Sequence, residues 1–296
     1  MSSQPSSPVS LPPAFPSPSP LPPAAAPHRS AAPHLPSGTV RRLGLAAVKG
    51  TRHTELAELA ITGSGPDGDR RFAFCAADRS RVLHTIANPA LVAVRAQWRE
   101  PLLTLRFPDG SVVSDQLTPG AEFAADYWGR VAKLRLLRSR HAAAMSDYLG
   151  TDVVLAAAPA GDVVYGGAVT VVTTSDLVEL AERVGDPAVA QEDWRFRATI
   201  TVDDGVTAGE SPRLGNAVPG ALVQLGEAVL RVRGRIPRCA VIDIGAGGRS
   251  DRRLMAALAT YRRRAGEVYF GLDCAVQRPG RVRNGDPALW AGQALR

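Results

Sequence analysis

Between residues 39 and 290 short apolar runs alternate with turn residues, a pattern that predicts many strands and few helices. Residues 39–48 and 56–62 read as strands. Between 56–62 and the next strand, Gly63-Ser64-Gly65-Pro66-Asp67-Gly68-Asp69 is dense turn chemistry that forces a reversal. Residues 70–76 alternate, with Phe72 and Phe74 on one face and Cys75 on the other. Strands at 94–98 and 102–107 follow, and Pro108-Asp109-Gly110 turns the chain into 111–113, a hairpin signal. Residues 130–138 alternate again, 141–150 reads as a short helix closed by Gly150, and 169–172 is a β-branched strand. Asp176 with Glu179 three positions on is an acidic variant of the capping box and opens a helix ending near Val184. Further strands are predicted at 198–202, 222–225, 228–232, 269–276 and 287–290. A basic helix is expected over 251–264, stopped by Gly266, with positions 254, 255, 258 and 261 on one apolar face. Short strands at regular spacing with Gly and Pro turns predict an all-β barrel or sandwich; no internal repeat is visible.

Composition sets off the first 38 of the 296 residues, which hold 12 of the 24 prolines and no Asp or Glu. Such a segment cannot bury enough apolar surface to offset its ordering entropy, so 1–38 is expected to be a disordered tail. The other 258 residues suffice for a sizeable core. Net charge is +7, of which the tail supplies only Arg29, and 33 of the 35 basic residues are Arg. No window approaches 18 uninterrupted apolar residues and no secretory signal opens the chain, so neither membrane spanning nor export is expected and a cytoplasmic setting is the default. Cys75, Cys239 and Cys274 form no C-x-x-C pair, which excludes a disulfide scaffold and a four-cysteine metal site within one chain. The five histidines have no H-E-x-x-H spacing, which argues against a zinc hydrolase.

Five features are candidates for chemistry. The turn at 63–68 matches G-x-G-x-x-G, but Pro66 sits within it and a strand rather than a helix follows, so it reads as a β-turn and not a dinucleotide site. Lys49 is one of only two lysines, and its place at a strand end suggests a need for a compact ammonium, against a chance surface lysine. In Trp194-Arg195-Phe196-Arg197-Ala198, an extended backbone would put Arg195 and Arg197 on one side, suited to a phosphate or another planar anion; a charged strand edge is the plainer alternative. Cys239 follows Pro237 and Arg238, and nearby guanidinium charge favours the thiolate needed to bind a soft metal or carry sulfur. The alternative is a small buried hydrophobe, the reading given to Cys75 and Cys274. The arginines at 249–264 come without an aromatic stacking stripe or a helix-turn-helix pattern, which argues against nucleic acid.

In order along the chain, Val48-Lys49-Gly50, Gly68-Asp69-Arg70-Arg71-Phe72 and Asn88-Pro89-Ala90-Leu91 resemble the N-terminal β-barrel module that precedes MOSC domains. Trp194-Arg195-Phe196-Arg197 is similar to that family's R-F-R element, Pro237-Arg238-Cys239 to its cysteine motif, and Gly280-Arg281-Val282-Arg283-Asn284-Gly285-Asp286 to its closing G-x-[VI]-x-x-G-D. The resemblance spans about residues 40–290. It implies a mainly β (α+β) fold: a tail at 1–38, an N-terminal β-barrel module at 39–135, and a MOSC-type β-barrel with a few short helices at 136–296.

The resemblance further implies a molybdenum cofactor (molybdopterin), with Cys239 as metal ligand and catalytic residue. Lys49, Arg70, Arg195, Arg197 and Arg238 would bind the cofactor's anionic groups. Pyridoxal phosphate binding is a further association of the family. The expected activity is reduction of N-hydroxylated or similar small oxidised substrates. Three cysteines leave no room for a fused two-iron cluster beside the metal, so electrons would come from a separate ferredoxin- or flavin-reductase-like protein. Two alternatives stand beside it: a sulfur carrier with a Cys239 persulfide, and a basic module for nucleic acid or an acidic partner. The sequence departs from the family's R-F-R-P-N at Ala198 and Thr199, and from a frequent Ser at Gly50.

Overall fold

The computed structural model describes residues 38–164, 166–205 and 213–290. The expected tail therefore lies outside the described residues except for Gly38, which instead opens the first strand.

Seven strands close into a barrel. Around it run Val169–Thr173, Ile200–Asp203, Gly38–Leu45, Pro287–Trp290, Leu222–Leu225, Ala228–Pro237 and Glu267–Arg278, and the last pairs back onto the first. Only Val169–Thr173 and Ile200–Asp203 are parallel; helix α2 (Thr174–Val184) lies in the connection between them. Leu222–Leu225 and the first part of Ala228–Pro237 bury alternate residues, as a half-buried period-2 pattern demands, whereas Val169–Thr173 and Ile200–Asp203 are buried almost throughout; Leu43, Val171, Ile200, Leu230 and Leu272 fill the interior.

The rest of the chain forms a four-stranded sheet (Phe72–Ala76, Val153–Ala157, Arg130–Arg138, Thr118–Tyr127) and a three-stranded one (Arg95–Arg99, Leu102–Arg106, Val112–Gln116). Helix α1 (Arg140–Leu149) contributes Met145 to the core between them, beside Phe74, Leu103 and Leu105. Among the described residues these pairings do not close into a second barrel. A boundary at 135/136 would cut through Arg130–Arg138, and the strand Gly38–Leu45 belongs to the seven-stranded barrel, not to the segment that follows it.

Other departures have local causes. The first strand ends at Leu45 rather than at 48, because the Asp69 carboxylate accepts the Ala46 N–H at 3.0 Å and pulls the chain into a loop. Helix α2 is capped by Thr173, whose hydroxyl accepts from the Asp176 N–H at 3.2 Å; Asp176 lies inside the first turn and pairs with Arg262. The helix expected over 251–264 is only Leu254–Ala259 (α3). Arg263–Arg264 instead pairs with Glu267 and Val268 across a turn in which Ala265 and Gly266 both have positive φ. The 63–68 turn opens no helix; Gly65–Pro66 pairs with Ile61 and Thr62.

Candidate functional site: a cationic cavity around Cys239

The loop after the first strand carries Lys49. Its N–H donates to the Phe72 carbonyl at 2.7 Å, and Val48 makes a parallel bridge with Phe72, so the loop is fixed against the four-stranded sheet. Arg70 stands at the start of the same sheet in the left-handed region (φ 47°), its guanidinium ion-paired with Asp69.

Residues 193–197 are not extended. Asp193–Phe196 is a 3-10 turn, closed by the Arg197 N–H donating to the Trp194 carbonyl at 3.1 Å, with Arg197 left-handed at φ 51°. The two arginines therefore have separate surroundings. Arg195 is buried and neutralised: Nε donates to Glu192 at 2.6 Å, Nη1 lies 2.8 Å from one Asp251 oxygen, and Nη2 donates to the other at 3.2 Å. Arg197 donates from Nη1 to the Thr51 carbonyl at 2.8 Å, while its buried Nη2 has no hydrogen-bond partner among the described residues.

The strand Ala228–Pro237 delivers Arg238 and Cys239. Arg238 donates from Nε to Phe270 O and from Nη1 to Phe196 O, both at 2.7 Å; its Nη2 is buried and, among the described residues, likewise without a partner. Cys239 caps a 3-10 turn (Ala240–Asp243) and is exposed, whereas Cys75 and Cys274 are buried and their thiols are pushed up to about 12 by burial.

These side chains meet. Lys49, Arg70, Arg195, Arg197, Arg238 and Cys239 all line one cavity of about 260 Å³, although they come from three distant parts of the chain. Burial, followed by the Arg197 and Arg70 charges, lowers Lys49 to about 7, and burial lowers Arg197 and Arg238 to about 10. Lys49 is thus only partly charged at neutral pH while both arginines stay charged. The cavity holds more positive charge than its carboxylates balance: Asp69 is engaged with Arg70, and Glu267 is the acidic residue on the lining. Such a site favours a ligand carrying oxyanions, with a thiol within reach.

Sequence reasoning did not foresee the aromatic side. Tyr127, Trp128 and Ile86 also line the cavity, with the Lys49 ammonium 5.4 Å from the Tyr127 ring centroid. Trp128 is left-handed at φ 57° and stacks on His84 with centroids 4.0 Å apart. The signal lay in Tyr127-Trp128-Gly129, a turn whose second residue is bulky where a small one is usual. Among the described residues, three of the five non-glycine positive-φ residues, Arg70, Trp128 and Arg197, are on this lining, a concentration of backbone strain typical of functional sites.

The departures from the family pattern also find places. Thr199 is buried and exchanges hydrogen bonds with Thr170, itself on the cavity lining: each backbone N–H donates to the other's hydroxyl, at 3.0 and 3.2 Å. Gly50 has φ 90°, and a Cβ there would lie 2.9 Å from Leu91 Cδ1.

The chain thus combines a closed seven-stranded barrel with a thiol in a guanidinium-lined cavity. Residues 157–288, a little under half of the chain, match the model of the MOSC domain. That match includes Arg195, Arg197, Arg238 and Cys239; Lys49 and Arg70 lie before it. MOSC domains in general are linked to molybdenum-cofactor binding. Among solved structures, the chain is similar to the YUAD protein from Bacillus subtilis at 14% identity, covering 86% of this chain and 97% of that one, with a TM-score of 0.44. It is similar to YiiM from Geobacillus stearothermophilus at 18% identity (43% of this chain, 55% of that one, TM-score 0.30) and YiiM from Escherichia coli at 19% (44% and 56%, 0.30). No curated protein matches. Among the described residues no helix is long and apolar enough to cross a membrane.

Proposed function

We propose that this chain binds a molybdenum cofactor in the Cys239 cavity and uses it to reduce small oxidised substrates, N-hydroxylated compounds foremost. The observation that carries the reading is the pair of buried, unpartnered Nη2 atoms of Arg197 and Arg238 beside the exposed Cys239 thiol. Two charged donors left without acceptors in a buried setting are costly, about 1–3 kcal/mol each, unless a ligand completes them. Molybdopterin's phosphate and dithiolene match that donor set, so the residues present fit the group. Among the described residues no three His, Cys, Asp or Glu side chains cluster around a metal, so further metal ligands would arrive with the cofactor.

In this reading the bound cofactor supplies a metal that accepts an oxygen atom and cycles two electrons. Cys239 would ligate that metal as the thiolate. Arg197 and Arg238 hold oxyanions from fixed positions, since each already has a guanidinium nitrogen anchored on backbone carbonyls. Lys49 and Arg70 would complete the anion cradle. Arg195, held between Glu192 and Asp251, stiffens the turn beneath Arg197 more than it offers a free charge. The overall change is R–NHOH + 2e⁻ + 2H⁺ → R–NH₂ + H₂O, with electrons from a separate ferredoxin- or flavin-reductase-like protein.

The exposure of Cys239 supports the sulfur-carrier reading as a second possibility, in which a persulfide on that thiol is handed to a metal–sulfur site. The deciding experiment loads the protein with cofactor and supplies a reduced viologen dye and an N-hydroxylated amidine. Amidine formation that disappears in Cys239→Ala supports the reductase. No product from loaded protein, together with a reductant-sensitive sulfur adduct on Cys239, supports the carrier.

A further inference from the structure

The turn at 193–197 separates the Cys239 cavity from another, and we propose that this other cavity, about 580 Å³, binds a phosphate dianion or a phosphate ester. Arg41, Arg42, Arg52 and Arg95 line it, with Trp194 as an aromatic wall. Their present partners leave half of that charge uncompensated.

Arg42 is the strongest case. It is buried; Nη2 lies 3.2 Å from His53 Nδ1, and Nη1 is buried with no hydrogen-bond partner among the described residues. Burial and the Arg42 charge hold His53 well below its ordinary value, so the ring is neutral, and it accepts the guanidinium proton without cancelling its charge. The nearest carboxylates do not reach hydrogen-bonding distance. Asp193 Oδ1 is 3.7 Å from Arg42 Nε, with Oδ2 already taking the Thr201 hydroxyl at 2.6 Å, and the largely exposed Glu55 is 3.9 Å away.

Among the described residues the Arg52 guanidinium donates only to carbonyls, Val92 O at 3.3 Å and Ala246 O. It also makes a parallel backbone bridge with Arg95, whose charge, after burial, lowers it further. Arg41 donates to the Gln191 side-chain oxygen, again a neutral acceptor. Four guanidinium groups against two carboxylates leave two positive charges, which a dianion would balance. Guanidinium forks suit tetrahedral oxyanions with paired hydrogen bonds. The volume exceeds that of a lone phosphate and leaves room for an esterified group against Trp194.

The test is isothermal titration of the full chain with inorganic phosphate and, separately, with a nucleoside 5′-monophosphate, at ionic strength fixed with chloride. Beyond any binding at the Cys239 cavity, a saturable component that persists in Lys49→Met is expected here, weakened at least tenfold when the exposed Arg41 and Arg95 are both changed to Gln, and lost in Arg42→Gln. Lys49→Met, in the Cys239 cavity, is expected to leave it unchanged. A monophosphate at least tenfold tighter than phosphate would identify an ester as the ligand; equal affinities would identify the phosphate group alone. No saturable binding of either, unchanged affinity in the Arg41/Arg95 double variant, or loss in Lys49→Met would overturn the site.

Discussion

Arg238 Nη1 donates to the backbone carbonyl of Phe196 at 2.7 Å, locking the residue before the exposed thiol onto the turn that ends in Arg197. A second bond, from Nε to Phe270 O, joins both to the long barrel strand Glu267–Arg278. Arg238→Met would leave these two carbonyls without their donor, at a cost of about 2–4 kcal/mol. Urea unfolding checks this. Arg238→Lys is expected to recover only part of the loss, because an ammonium cannot reproduce the fork; full recovery would contradict the account.

Lys49 trades stability against binding. Its folded value of about 7 lies below its ordinary 10.5, so the folded chain resists charging the amine. Replacing it with Met should stabilise the cofactor-free protein at pH 7 by about 1 kcal/mol, or about 2–4 °C in Tm, while weakening retention of an anionic cofactor. Thermal unfolding and cofactor content of the same samples test both halves; a lower Tm in the variant would refute the first.

The same shift gives a pH dependence. Between about 7 and 10.5 the unfolded chain binds more protons at this lysine than the folded one, so its contribution to stability rises with pH over that window. The penalty is present in full below about 7. Wild type should therefore gain stability relative to Lys49→Met as pH is raised from 7 to 10. Anion binding runs the opposite way: charged Lys49 is the binding form, so affinity at the Cys239 cavity falls as pH rises through 7. Titrations at pH 6 and 8.5 measure it, and equal affinities would contradict a role for the Lys49 charge.

Gly50 cannot be exchanged for serine without strain. At φ 90°, with a Cβ 2.9 Å from Leu91 Cδ1, Gly50→Ser is expected to cost about 1–3 kcal/mol. Chemical denaturation checks it; a stabilised variant would mean the 48–51 loop changes course.

Much of the barrel was legible because alternating burial writes its period into the sequence. The barrel strands Leu222–Leu225 and Pro287–Trp290, and Arg130–Arg138 in the four-stranded sheet, fall where alternation and turn residues put them. Turn geometry was less legible. Residues 195–197 read as extended from side-chain alternation, but the 3-10 turn is set by backbone hydrogen bonds and by the Arg195 pairs with Glu192 and Asp251, the latter 56 residues away in sequence. The basic run at 262–264 read as helix C-terminus; Arg262 is instead drawn to Asp176 and Glu179, and the chain reverses at Ala265–Gly266. The candidate site residues were picked out through motifs. Their convergence depends on the Lys49 loop meeting the Phe72 strand, a contact without a local signature.

The most direct measurement is the molybdenum and pterin content of the full chain purified from a molybdenum-replete host, beside Cys239→Ala and an Arg197→Met/Arg238→Met double variant. Near-stoichiometric metal and pterin are expected in wild type, with metal lost from Cys239→Ala and pterin strongly reduced in the arginine variant. Wild type carrying neither, or Cys239→Ala retaining both in full, would contradict the assignment of this cavity.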